Sequence, residues 1–512
     1  MRMDEALNPI SFEFFHRFLL YQASFNTSFT LELGAILEPA LCESALGLVM
    51  ERHPILRSRV AIDLESPERY FWQPLPISAP LPLTWCPLDG DDADLPSAFG
   101  RLESDHQNRT LPLDRSAPFH LFIMPWRQRL THVQLVASHT ALDGKSSVIF
   151  LRDFLKFYLA LQQGQSPQVT PTPLGGDWSR LFAITVNATA KENLDRDILA
   201  DQQTPPDTAK DDDFQPLGWS HLKATLARAK PQRSPGQELV PFPRARLTSG
   251  ADLAKGLRGT VNTLAHRLSK AQTRALRQRL EDLALQSAER GRPSLNELLS
   301  ALYLQCQLTM ARQAGESVAI AHLGMAVDLR PLCADKHLRD SIQDLFFPVV
   351  MTIDVAEASC MGLGGLVHAI QKKKTELLAA MPGPYLEKVW QKYRLGDRVK
   401  GDRWLDFLAT TTQIFHPQSA KVVRVSYMGI TDKHFSGLAA LKIQSAQLNS
   451  ANVGFPVPSL LLYLFQQQLY LSFTYVDAYT DSDQRHQLWQ LFLQGLAELS
   501  PADAVYPNSE NA

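Results

Sequence analysis

The stretch "VASHTALDGKS", Val136 to Ser146, decides how this chain is read. It sets a serine beside a histidine, an aspartate four residues beyond the histidine, and a glycine directly behind that aspartate. Three chemistries use such residues: a serine hydrolase triad, a metal site, or a histidine working alone. The flanking sequence discriminates among them. "PFHLFIMPWRQRLTHVQLVASH" reads as two apolar runs separated by Pro125 to Arg129, a hairpin or two neighbouring strands. After Gly144, the residues Val148, Leu151, Leu155, Tyr158 and Leu159 recur at helical spacing. The stretch is a strand-to-loop-to-helix junction.

On the strand Leu130 to His139, alternate side chains share a face. Thr131, Val133, Leu135, Ala137 and His139 fall on one side; His132, Gln134, Val136 and Ser138 fall on the other. Ser138 then points away from His139, and the chain has no G-x-S-x-G elbow, which disfavours a serine nucleophile. His132 and His139 oppose each other and H-E-x-x-H is absent, so no metal site is expected. A histidine alone remains. At the end of an apolar row an imidazole is partly desolvated and stays a neutral base near pH 7. Such a base can take a proton from a hydroxyl or amine while that atom attacks a carbonyl. Asp143 need not touch His139; its other use is to anchor the loop by pairing with a distant arginine, while Gly144 permits a tight, close-approach backbone turn before the helix. Taken by itself, the motif also fits a satisfied core histidine.

The whole chain sets the frame for that junction. Its 512 residues are too many for one small core, and two compact units are the economical division. With 45% apolar and 20% charged residues the composition is that of a globular protein. A net charge of −2 supplies no global field for nucleic acid or an anionic membrane, so neither is an expected partner. The cysteines Cys42, Cys86, Cys306, Cys333 and Cys360 are scattered and never approach C-x-x-C spacing; buried reduced thiols are expected rather than zinc or disulfides. No signal-peptide pattern opens the chain, and no apolar run reaches the roughly 18 to 20 residues of a membrane helix. A soluble, cytoplasmic monomer is the expectation.

Two patterned regions flank an irregular one, giving an N-terminal lobe over 1–161, a Pro-, Gln- and Asp-rich inter-lobe crossover over 162–259, a C-terminal lobe over 260–500 and a tail over 501–512. In the first lobe "SALGLVMERHPILRSRV" reads as a helix closing near Glu51 to His53, before Pro54, with a strand from Arg57 to Asp63. In the second, Ser269 and Ser294 are candidate N-caps of two helices. Strands follow at "SVAIAHLGMAVDLR", "FFPVVMTIDV", "KVVRVSYMGI", "SLLLYLF" and "LYLSFTYV", with helices in "LVHAIQKKKTELLAAM" and "DQRHQLWQLFLQGLAEL". Two α/β (α+β) lobes, each a mixed sheet with flanking helices, are predicted.

"SHTALDG" resembles the H-H-x-x-x-D-G signature of the condensation-domain and CoA-dependent acyltransferase superfamily, whose chloramphenicol acetyltransferase-like fold also serves alcohol acetyltransferases and polyketide-associated acyltransferases. "ALGLVMERHPILRSRV", "LPLDRSAPFHLFIM", "AVDLRP" and "VSYMGI" resemble further family segments in the family's order. The resemblance covers about residues 10 to 160 and 260 to 500. It implies two lobes in a V around a central channel, with His139 as the catalytic histidine, Asp143 and Gly144 structural, and Arg330 as the arginine that Asp143 pairs with. Ser138 stands where the signature has its first histidine and is at most a supporting residue. Ser426 is a candidate oxyanion contact; Asn449 and Asn452, in "LNSANVGFPVP", are candidate substrate contacts.

The implied activity is transfer of an acyl group from an acyl-CoA or phosphopantetheine thioester to a hydroxyl or amine of a small-molecule acceptor, with no tightly bound cofactor and no metal. One alternative is a free-standing condensation enzyme of peptide or polyketide synthesis, whose partner is an acyl or peptidyl carrier protein. Another is a non-catalytic binding scaffold of the same fold, suggested by the loss of the first signature histidine at Ser138.

Overall fold

The structure is a computed structural model. It describes residues 26–62, 70–76, 78–88, 95–127, 129–172, 238–239, 260–285, 292–332, 339–343, 345–360, 362–379, 422–450, 458–477 and 480–501. Nearly all of the predicted crossover and of the tail, and Asn452, lie outside these residues.

The first half supplies β1 (Asn26–Leu33), α1 (Pro39–Arg52), β2 (Ser58–Ile62), β3 (Tyr70–Pro74), β4 (Leu83–Trp85), α2 (Leu95–Gln107), β5 (Phe119–Trp126), β6 (Leu130–Ser138) and α3 (Gly144–Gln162). The second supplies β7 (Val261–Arg267), α4 (Lys270–Leu285), α5 (Leu295–Gln313), β8 (Ile320–Asp328), β9 (Phe346–Asp354), α6 (Val355–Cys360), α7 (Gly362–Ala379), β10 (Val422–Ile430), β11 (Ile443–Asn449), β12 (Ser459–Phe465), β13 (Gln468–Val476) and α8 (Ser482–Leu499). Pro54 stops α1 as expected, and the backbone passes through a 3₁₀ turn, Pro54–Arg57, into β2. Ser269 and Ser294 both sit at helix starts in reciprocal capping boxes, with Gln272 and Glu297.

A five-stranded sheet runs in the order β11-β1-β6-β5-β4. Phe29, Leu31 and Leu33 of β1, Val133, Leu135 and Ala137 of β6, and Leu121 and Ile123 of β5 enter one core with α1 and α3. The opposite face of β6 and β5 presents Val136, Phe122 and Met124 to a smaller cluster that includes Phe99 and Leu102 of α2. The alternation read from the sequence of β6 is thus the observed one, but both faces are covered. At the end of α1, His53 Nε2 lies 3.0 Å from Asp153 Oδ2 of α3 and Nδ1 lies 3.1 Å from Thr172 Oγ1, tying the helices together.

A six-stranded sheet, β7-β13-β12-β10-β8-β9, forms the second lobe. β12 serves both cores: Leu460, Leu462 and Leu464 pack with α5 and α8, whereas Leu461, Tyr463 and Phe465 join the first lobe's core. A strand that is apolar on both faces reads as a continuous hydrophobic run, and "SLLLYLF" is one.

The lobes do not divide cleanly along the chain. β11, in the half read from sequence as the C-terminal lobe, is the edge strand of the first lobe's sheet, antiparallel to β1 with Asn449 opposite Ser28. β1 would otherwise end the sheet with unpaired backbone groups. Tyr463 Oη locks the strand in place, donating to the Ala446 carbonyl (2.8 Å) and accepting from the Leu448 amide (2.9 Å).

Candidate active site

His139 is the first residue past β6, in a turn closed by the Ala141 and Leu142 amides donating to the Ser138 carbonyl (3.0 and 3.1 Å). The imidazole is partly exposed, and its ring centroid lies 4.8 Å from that of Phe346, the first residue of β9, tilted by 57°. The histidine of the first lobe is thereby held against the sheet of the second. Ser138 is buried; its amide donates to the Pro118 carbonyl (2.8 Å) and its Oγ accepts from the Thr140 amide (3.4 Å). The hydroxyl therefore braces the turn that carries His139.

Asp143 is the N-cap of α3, its Oδ1 accepting from the Ser146 amide at 2.7 Å. The same carboxylate meets Arg330 in a two-pronged ion pair, Nη1 to Oδ2 at 2.7 Å and Nη2 to Oδ1 at 3.0 Å, and Oδ2 also accepts from the Leu345 amide at 3.0 Å. Arg330 Nη2 reaches Ser146 Oγ (2.8 Å) and the Gln343 carbonyl (2.9 Å), and Nη1 reaches Asp328 (3.2 Å). Burial works against the guanidinium's charge, but Asp143 and then Asp328 outweigh it and hold Arg330 above the ordinary arginine value. The distant arginine that the sequence argument asked for is across the lobe junction, 187 residues away.

Gly144 begins α3 without a left-handed φ, so the expected tight backbone turn is not what requires it. A Cβ there would come within 3.0 Å of Met428 Sδ and Cε on β10, so the close approach is to a side chain. Lys145 Nζ donates to His434 Nε2 (2.5 Å), a further link across the junction; burial, opposed by Asp328, lowers the amine to about 8. Burial, helped by Lys145 and Lys433, pushes His434 down to about 4. His434 is neutral there, as an acceptor nitrogen requires.

Ser426 lies on the face of β10 opposite Val423, Val425 and Tyr427, which pack into the second core; it shares that face with Met428, whose thioether meets Gly144. Asn449, a candidate substrate contact, closes β11 at 2% exposure, with Oδ1 accepting from Ser472 Oγ (3.4 Å). It joins the two sheets. Sequence reasoning missed Phe346, Ser146 and Lys145. Ser146 and Lys145 stand inside the motif, whereas nothing local marks Phe346.

Among the described residues no three His, Cys, Asp or Glu side chains converge as a metal site would require. No helix among them is long and apolar enough to cross a membrane. Cys42 and Cys306 are buried free thiols, each pushed up to about 12 by that burial.

Two mixed α/β lobes joined around a histidine-bearing strand end define a chloramphenicol acetyltransferase-like fold. The Condensation domain family model matches residues 7–179. That match lies within the first lobe and the start of the crossover, and likeness in fold to solved structures extends over the rest of the chain. Its structure is similar to the trichothecene 15-O-acetyltransferase TRI3 of Fusarium sporotrichioides, with a TM-score of 0.62 and 12% identity over 96% of this chain and 95% of that one. It is similar as well to the first condensation domain of the calcium-dependent antibiotic synthetase in complex with a substrate analogue (TM-score 0.61, 16% identity, 96% of each chain). The X-domain from teicoplanin biosynthesis matches with a TM-score of 0.54 and 16% identity over 98% of this chain and 97% of that one. No curated protein matches the sequence.

Proposed function

We propose that this protein moves an acyl group from a thioester to a hydroxyl or amine of a small-molecule acceptor, with His139 as the general base. The observation that carries the reading is the placement of a partly exposed imidazole at the lobe junction, directly before a buried Asp143–Arg330 clasp that involves no catalytic proton. His139 takes the acceptor's proton, the freed oxygen or nitrogen attacks the thioester carbonyl, and the tetrahedral oxyanion is stabilised by a hydroxyl such as that of Ser426. The carbon–sulfur bond then breaks, and the thiolate takes the proton back from the imidazolium. Neither a metal nor an acyl-enzyme is required. The co-substrate is acyl-CoA or a phosphopantetheine thioester. Intact-mass detection of products from mixed acyl thioesters and candidate acceptors, with wild type and His139→Ala in parallel, tests the assignment.

The Condensation domain match favours a second reading, in which the donor is tethered to an acyl or peptidyl carrier protein. Acyl-CoA and acyl-carrier protein offered side by side separate the two. Similarity to an X-domain, a domain also solved in complex with OxyB, favours a binding role without turnover. Absence of transfer with every donor and acceptor would support that role.

A further inference from the structure

Ser146 belongs to the motif that decided the fold, yet the proposed proton transfer does not use it. It is fully buried (0% exposed) and its hydroxyl is engaged on three sides. Oγ donates to the Gln343 carbonyl (2.7 Å), accepts from the Gln343 amide (3.0 Å) and accepts from Arg330 Nη2 (2.8 Å). Two residues along, the Leu345 amide donates to Asp143 Oδ2 (3.0 Å). The first turn of α3 thus grips alternate residues of the segment Gln343–Leu345, much as a neighbouring strand would. Phe346 follows without an intervening residue, and its ring is the one beside the His139 imidazole.

The connection is short. From the Gln343 backbone held by Ser146 to the ring against His139 there are three steps of chain, each about 3.8 Å between Cα atoms. Loss of the Ser146 hydroxyl removes both of its bonds to the Gln343 backbone and leaves the carbonyl there to Arg330 Nη2 (2.9 Å), while Leu345 stays bonded to Asp143 Oδ2 (3.0 Å) and to the Leu329 amide (2.8 Å). A ring 4.8 Å from the imidazole is in van der Waals range and limits which way the imidazole turns. A general base misplaced by about 1 Å can lose on the order of a hundredfold in rate. Orientation at this point matters more than stability.

We propose that Ser146 is a positioning residue for His139, acting through Phe346: it fixes the segment that carries the ring, and the ring fixes the imidazole. This rests on, and deepens, the reading of His139 as the base. It also gives Ser146 a task distinct from that of Asp143, which holds the lobes together.

The test reads the imidazole itself. Diethyl pyrocarbonate labels a neutral imidazole nitrogen, and the His139 peptide is followed by mass between pH 5 and 8 in the full chain. Wild type, Ser146→Ala, Phe346→Ala and the double variant are compared, with Phe346→Leu replacing Phe346→Ala if the latter fails to give a wild-type circular dichroism spectrum. Each single variant is expected to change the His139 labelling rate by at least about threefold, within the range of coupling seen for residues in contact. The double variant is expected to behave as Phe346→Ala alone. Wild-type labelling in Ser146→Ala, or an effect of Ser146→Ala undiminished when Phe346 is already gone, overturns the proposal. A merely structural serine would give additive effects. Turnover of acetyl-CoA with an alcohol and amine panel by His139→Ala addresses the functional reading separately: retained turnover there removes the base and leaves the labelling result standing.

Discussion

Replacing Asp143 with alanine removes one side chain that serves three purposes. The carboxylate accepts from the Ser146 amide as a helix cap, from the Leu345 amide, and from both Nη atoms of Arg330. Loss of the cap costs about 1 kcal/mol. Loss of the charge strands a guanidinium that is 3% exposed, with Asp328, whose side chain is 42% exposed, as its remaining carboxylate partner among the described residues. Breaking one side of a buried ion pair costs about 3–5 kcal/mol. The two contributions together give roughly 4–6 kcal/mol for Asp143→Ala, read as a drop in the urea midpoint at unchanged slope. Asp143→Asn keeps an acceptor for the cap and loses the charge, so its loss is smaller. Because the carboxylate handles no proton, Asp143→Asn retains far more turnover than His139→Ala under conditions where both are folded. A midpoint for Asp143→Ala within about 1 kcal/mol of wild type would refute this account of the clasp.

Three further perturbations have calculable signs. Burial, against a hydrogen bond from Thr30, pushes the carboxyl of Glu103, on α2, from 4.5 to about 7. Between those values the unfolded chain releases a proton that the fold keeps, so stability falls as pH rises; Glu103→Gln should gain up to about 3 kcal/mol at pH 8 and nothing near pH 4.5. A variant difference independent of pH in chemical unfolding would contradict it. Burial lowers His132 to about 4, so between 6.5 and 4 the unfolded state binds the extra proton and stability falls as pH drops. His132→Phe, which preserves stacking on Phe99, should flatten that acid limb of the melting temperature; an unchanged slope tells against it. Gly144→Ala should cost about 1 kcal/mol by crowding Met428, and nothing in a Met428→Ala background; equal costs in both backgrounds would place the strain elsewhere.

How much of this was legible depends on how local each cause is. The alternation along Leu130–Ser138, the apolar spacing after Gly144 and the serine caps at 269 and 294 are written within a few residues of where they act. The Asp143 partner could be specified as a distant arginine from the chemistry of a carboxylate past a strand end, and the family resemblance supplied Arg330. β1 was missed although "NTSFTLEL" alternates, and β11 was missed because "IQSAQLN" carries few apolar residues. β11 exists because β1 offers it an edge and Tyr463 holds it there, neither of which lies near it in sequence. Phe346 is the sharpest case. The residues just before it, Gln343 and Leu345, are bonded to Ser146 and Asp143 from about two hundred residues away. Asn449 failed in the opposite direction: a polar residue in a Gly- and Pro-rich neighbourhood reads as loop, and the fold uses it between sheets.

The central claim is that one imidazole, and no other group in the motif, moves the proton. Its most direct test is the rate of thiol release and acyl-product formation by wild type and His139→Ala, with the thioester donor and acceptor that the wild type turns over. The account predicts that His139→Ala keeps the wild-type melting behaviour and loses on the order of a hundredfold or more in rate. A folded His139→Ala protein with near-wild-type turnover would contradict it.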